Sequence, residues 1–129
     1  MDTRILGKSD LEVPVICFGA WPIGGGLGRV DPKEAINTIH AAIDSGITFI
    51  DTAEGYETSE SILGKALKGK QGSVTIASKL SGPDHSENHI LKAIENSSPL
   101  WELTTLTYIN FIARNLNGQF NKRWKYLFD

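Results

Sequence analysis

Three apolar strand segments, each followed by an amphipathic helix segment, predict an α/β fold built on a parallel sheet covered by helices. The strand signals are Val13 to Ala20 (VPVICFGA), Ile47 to Ile50 and Val74 to Ala77. Glycine, proline and aspartate separate them from the helices, and polar side chains stand where each strand ends.

The first strand is expected to be buried from Val13 to Ala20 and to leave into the glycine-rich stretch Gly24 to Gly28. Asp31 then reads as a helix N-cap, with Pro32 at the first helical position and Glu34 in the first turn. Ile36, Ile39 and Ile43 recur at helical spacing and face inward, and Gly46 ends the helix. The second strand stops at Asp51, and a helix runs from about Ser59 to Leu67 before Gly69. After the third strand a loop begins at Ser78, and Ser86 caps a helix carrying Ile90, Ala93 and Ile94.

Strand and helix order alone leaves two architectures open, a doubly wound sheet and a (β/α)8 barrel. The polar residues favour the barrel. Trp21, Asp51 and Lys79 all fall at or just past the C-terminal ends of successive strands, the end at which a TIM barrel carries its chemistry. The predicted fold is therefore the N-terminal portion of a (β/α)8 TIM barrel, incomplete, since a full barrel takes about 250 residues and this chain has 129.

Composition excludes several function classes. With 40% hydrophobic and 22% charged residues, the chain is that of a soluble domain. A formal charge of -2 offers no field for nucleic acid or an anionic membrane. No apolar run reaches the roughly 18 residues that span a bilayer, and no signal core follows Met1. The single cysteine, Cys17, cannot form an internal disulfide, so a cytoplasmic setting is expected. Placed in a buried strand, Cys17 is expected to act as a small hydrophobe.

Asp51, Tyr56 and Lys79 form a chemically coherent set. A phenol is a weak proton donor at neutral pH, and a neighbouring ammonium stabilises the phenolate it leaves behind. Lys79 is placed to serve Tyr56 in this way. Burying that ammonium is costly unless it is paired, and Asp51 offers the carboxylate. Such a trio can protonate a carbonyl oxygen while hydride reaches the carbon. Taken singly, the three have plainer readings as a turn residue, a packing aromatic and a solvated lysine; their convergence on one face carries the argument.

Phe49-Ile50-Asp51-Thr52-Ala53, Tyr56, Ser59-Glu60 and Leu63-Gly64-Lys65-Ala66-Leu67 resemble the signature of the aldo/keto reductases, and Ile76-Ala77-Ser78-Lys79 resembles their lysine motif. Arg4-Ile5-Leu6-Gly7 and Phe18-Gly19 fit the same pattern, so the resemblance runs from about residue 3 to 97. It implies reduction of aldehydes or ketones with NADPH or NADH and no metal. Tyr56 would be the general acid and Lys79 its assistant. Asp51 would hold Lys79 and approach the nicotinamide ribose. Trp21 would border the cofactor and line the substrate mouth.

Two departures qualify what the resemblance implies. The family pattern ends its fourth strand with a histidine that orients the substrate carbonyl, yet no histidine follows His89. The segments that grip the adenosine phosphate belong to the second half of such a barrel. The chain by itself is therefore expected to be inactive.

From about residue 98 the match breaks off. With suitable synonymous codons, Leu100 to Ile112 read one frame over gives MGTDYIDLYQLH, the fourth strand with its histidine. Residues 98–129, with Trp101, the LTTLTYINFIA run and Lys122-Arg123-Trp124-Lys125, are thus expected to be an out-of-frame tail. The other reading is a genuine strand and basic helix.

Other signals are set aside. Gly24-Gly25-Gly26-Leu27-Gly28 fails the dinucleotide spacing because Arg29 follows, and is expected to be a flexible loop. His85 and His89 lack a third metal ligand and read as solvated, and His40 as a residue on a helix flank. A non-catalytic half-barrel that associates through an exposed sheet edge is the competing function.

Overall fold

The computed structural model describes residues 1–9, 11–84, 86–101 and 108–109. Strands β1 (Thr3–Ile5) and β2 (Glu12–Pro14) pair as an antiparallel hairpin, with Arg4 opposite Val13. A second, parallel sheet holds β3 (Phe18–Gly19), β4 (Phe49–Asp51), β5 (Thr75–Ser78) and β6 (Tyr108–Ile109). Helices α1 (Pro32–Asp44), α2 (Ser59–Ala66) and α3 (Glu87–Trp101) connect its strands.

Strand order in the parallel sheet is β3-β4-β5-β6, the order of the chain. A doubly wound sheet reverses direction at a switch point, whereas a barrel adds each strand beside the last. The chain winds in the barrel manner, as the N-terminal portion of an incomplete (β/α)8 barrel.

The apolar run from Val13 to Ala20 does not form the single buried strand expected of it. Val13 and Pro14 are buried in the hairpin, Val15, Ile16 and Cys17 are exposed, and the chain joins the parallel sheet only at Phe18. The hairpin ladder closes with Val15 N–H donating to Asp2 C=O at 3.0 Å, and the chain then bends at Val15 and Ile16 and exchanges one sheet for the other. Cys17 consequently lies at the surface and not in the core. The other two strands run from Phe49 and from Thr75, and β5 includes Ser78, a residue expected in the loop.

Helix α1 follows its sequence signals closely. The Asp31 carboxylate accepts from the N–H groups of Lys33 (2.8 Å) and Glu34 (3.1 Å), Pro32 opens the helix, and Gly46 adopts φ +86° just beyond it. Ala35 and Ile39 are buried, and Ile36 and Ile43 are half-buried against the same core. Helix α3 begins as expected, Ser86 Oγ accepting from the N–H of His89 at 3.3 Å.

The main core lies between the parallel sheet and the first two helices, centred on Ile39, Ile50 and Leu63, each at most 1% exposed. Burial of one such side chain contributes about 1.5–3 kcal/mol. A smaller cluster of Leu80, Ile90 and Ala93 seats α3 against the chain leaving β5. His40 occupies the α1 flank as expected and donates from Nε2 to the carbonyl of Ala66 at 2.7 Å, tying α1 to the end of α2. Among the described residues, no helix is long and apolar enough to cross a membrane.

Candidate active site

Parallel pairing sets the C-terminal ends of three strands side by side: Gly19 faces Asp51 across β3 and β4, and Asp51 faces Ala77 across β4 and β5. The ladder continues past the strands, since Ala20 N–H donates to Asp51 C=O and Thr52 N–H to Ala77 C=O, both at 2.8 Å. Trp21, Asp51 and Lys79 therefore share one rim.

At that rim the Lys79 ammonium donates to the Asp51 carboxylate and, at 2.8 Å, to the carbonyl of Thr52. Its Nζ lies 4.9 Å from the centroid of the Tyr56 ring. The lysine side chain is 10% exposed and the aspartate 34%. The cation is thus withdrawn from water and needs its partner, while the carboxylate keeps one edge open to the mouth.

Tyr56 sits in the turn between β4 and α2. Its N–H donates to Ala53 C=O (3.0 Å), and its own C=O accepts from Ser59 N–H (2.9 Å). Gly24 backs this turn: a Cβ there would stand 2.2 Å from the Tyr56 carbonyl oxygen, so the close approach requires glycine. Glu54 N–H donates to Lys79 C=O (3.1 Å), and the Glu54 carboxylate accepts from Ser81 N–H (3.1 Å), joining the loops that carry Tyr56 and Lys79.

Asp51, Tyr56 and Lys79, expected together from the sequence, are brought together. Trp21 stands on the same rim, 48% exposed, its indole lying over Gly26. The glycine-rich stretch expected to be a flexible loop is a hydrogen-bonded turn, with N–H groups of Gly24, Gly25 and Gly26 returning to the carbonyls of Trp21 and Pro22. A cavity of about 340 Å³ opens beside it, lined by Ile23, Gly24, Gly25, Gly28, Arg29, Val30, Glu57 and Thr58, and separate from the catalytic candidates. His89 is half-buried and not simply solvated, its Nδ1 lying 4.0 Å from Asp84; His85 lies outside the described residues.

Sequence reasoning gave Cys17 no place near this chemistry. Partial desolvation of its sulfur, and then the Asp51 carboxylate, push the thiol up from its ordinary pKa, while Lys79 works in the opposite direction. It also gave no roles to Thr52, Ser59, Glu60 and Ser78, the buried polar residues among those described. The available signal was a pair of polar residues at the start of an otherwise apolar-faced helix.

The aldo/keto reductase family model matches residues 15–114, most of the chain. The chain belongs to the aldo/keto reductase family. It is 44% identical over 84 residues to aldo-keto reductase YhdN of Bacillus subtilis, a match covering 61% of this chain and 25% of that protein. To L-galactose dehydrogenase of Arabidopsis thaliana it is 33% identical over 121 residues, 87% of this chain and 37% of the relative. Among solved structures, a putative aldo-keto reductase from Pseudomonas aeruginosa superposes with a TM-score of 0.77 at 30% identity, over 84% of this chain and 45% of the other. An aldo/keto reductase from Klebsiella pneumoniae in complex with NADP and acetate superposes at 0.66 with 32% identity, over 75% and 35%. The chain thus spans a quarter to under half of the length of these relatives.

Proposed function

We propose that the site performs NAD(P)H-dependent reduction of an aldehyde or ketone, with Tyr56 as proton donor. The observation that supports it is the Lys79 ammonium, paired with Asp51 and set 4.9 Å from the Tyr56 ring on the rim where barrel enzymes do their chemistry. As the phenol gives its proton to the carbonyl oxygen, Lys79 stabilises the phenolate, and Asp51 pairs with the ammonium and keeps it aimed. Trp21 bounds the substrate mouth.

A nicotinamide cofactor, bound, supplies the hydride. The donor set fits its ribose end, because Asp51 gives Oδ1 to Lys79 and remains 34% exposed at the mouth, able to accept from a sugar hydroxyl. Trp21 would flank it. NADP in the Klebsiella relative supports the cofactor class. A small carbonyl compound in the cytoplasm, and neither nucleic acid nor a membrane surface, completes the reading.

The tail from about residue 98 is proposed to be out of frame, and the 129-residue chain to be inactive alone, being truncated and without the histidine. Sequencing the transcript across the codons for Asn96 to Asp129 tests the frame. Restoring the offset frame, carried on for as long as it stays open so that the second half of the barrel is supplied, and following loss of reduced nicotinamide over a panel of aldehydes and ketones tests the chemistry. Reduction by the restored chain, lost in Tyr56→Phe, supports the assignment; no reduction of any carbonyl sinks it. Equal reduction by the chain as written overturns the proposed inactivity.

Exposure of Val15 (53%) and Ile16 (51%) beside β3, whose outer side carries no partner strand among the described residues, favours a second reading as a non-catalytic half-barrel that self-associates. Sedimentation of the wild-type chain and of Ile16→Lys tests it: a monomeric wild type excludes it.

A further inference from the structure

The first two residues of α2 touch the backbone or the immediate chain neighbour of every candidate at the site. Ser59 Oγ donates to the carbonyl of Ala20 (3.0 Å), the residue before Trp21. That bond uses the only proton on the Ser59 hydroxyl, so the contact with Thr52 Oγ1 at 2.9 Å is donated by Thr52, the residue after Asp51. Ser59 N–H donates to the carbonyl of Tyr56 itself (2.9 Å). Glu60 Oε1 accepts from the hydroxyl of Ser78 (2.7 Å), the residue before Lys79.

All four side chains in this set are buried: Thr52 and Ser59 at 0% exposure, Glu60 and Ser78 at 7%. Buried bonds of this kind hold a single geometry, because breaking one leaves an unsatisfied polar group away from water. The cap position of α2 makes no side-chain bond to its own helix; Thr58 Oγ1 instead donates to Gly24 C=O at 3.1 Å, again toward the loop after β3.

We infer that Ser59 and Glu60 are positioning residues, which lock the ends of β3, β4 and β5 in one alignment and so fix Lys79 between Asp51 and Tyr56. Their importance for catalysis rests on the proposed reduction; their action on the Lys79 geometry does not. Small strand slippage at the rim would otherwise move Lys79 relative to the phenol by more than a proton donor tolerates.

The test reads geometry by nuclear magnetic resonance in the whole chain. A tyrosine ring 4.9 Å from the Lys79 ammonium displaces the resonances of the lysine ε-methylene, and Tyr56→Leu defines how much of the displacement comes from that ring. Glu60→Ala and Ser59→Ala are expected to lose most of the displacement, and Glu60→Gln, which keeps an acceptor for Ser78, to retain it. If Ser59→Ala fails to fold, Ser78→Ala removes the Glu60 link from the other side and is expected to show the same loss. Folded Glu60→Ala and Ser78→Ala proteins with the wild-type displacement overturn the inference. Absence of carbonyl reduction in the restored-frame chain, by contrast, removes only the catalytic reading and leaves the resonance result standing.

Discussion

Lys79 is the more buried partner of its ion pair with Asp51, 10% exposed against 34%. The asymmetry decides which half of the pair the fold can lose. Asp51→Asn leaves a withdrawn ammonium with only neutral oxygen partners, the Thr52 carbonyl and the new amide, and no counter-charge. Lys79→Met leaves a carboxylate that water already reaches. After allowance for that exposure, Asp51→Asn is expected to cost about 1–3 kcal/mol and Lys79→Met under about 1 kcal/mol. Urea unfolding of both single variants and of the double variant checks the order, and equal losses would show that the burial difference is irrelevant.

Tyr56 is held from behind by Gly24, and alanine there is expected to destabilise by about 1–3 kcal/mol, since the added carbon would meet a backbone oxygen at 2.2 Å. Gly26 is a contrasting case. A Cβ at Gly26 meets the Trp21 indole at 2.0 Å, but that side chain is 48% exposed and can swing away. Gly26→Ala is therefore expected to cost less than Gly24→Ala and to change the fluorescence of Trp21, read as the difference from a Trp21→Phe background. Equal melting temperatures for the two variants would refute the backbone argument.

Helix α1 could be read residue by residue because its signals are local: a cap at Asp31, Pro32 next, and isoleucines at helical spacing. Asp31→Ala should accordingly cost about 0.5–2 kcal/mol in urea unfolding, by loss of the two bonds from Lys33 and Glu34. Asp51 and Lys79 were legible for a similar reason, as polar residues where apolar runs stop. The failures were non-local. The run from Val13 to Ala20 is apolar throughout, and only its two different strand partners divide it, Thr3–Ile5 on one side and Phe49–Asp51 on the other. Ser59 and Glu60 carried no visible role because their partners, Ala20 and Ser78, are distant in the chain and adjacent only when the strands align.

Cys17 reports on the site without belonging to the proposed chemistry. Its thiol is held above the ordinary range first by desolvation and then by the Asp51 carboxylate, against the opposing pull of Lys79. The thiolate is the reactive form, so alkylation near neutral pH is expected to be slow and to quicken as pH rises. Removing the carboxylate lowers the thiol pKa and removing the ammonium raises it. At a fixed pH of about 8, near the thiol's unperturbed range, Asp51→Asn should therefore speed alkylation by iodoacetamide and Lys79→Met should slow it, each by a few-fold. Rates that move in the same direction in both variants would mean that the two charges do not face Cys17 from the common rim, and would separate the thiol from the ion pair.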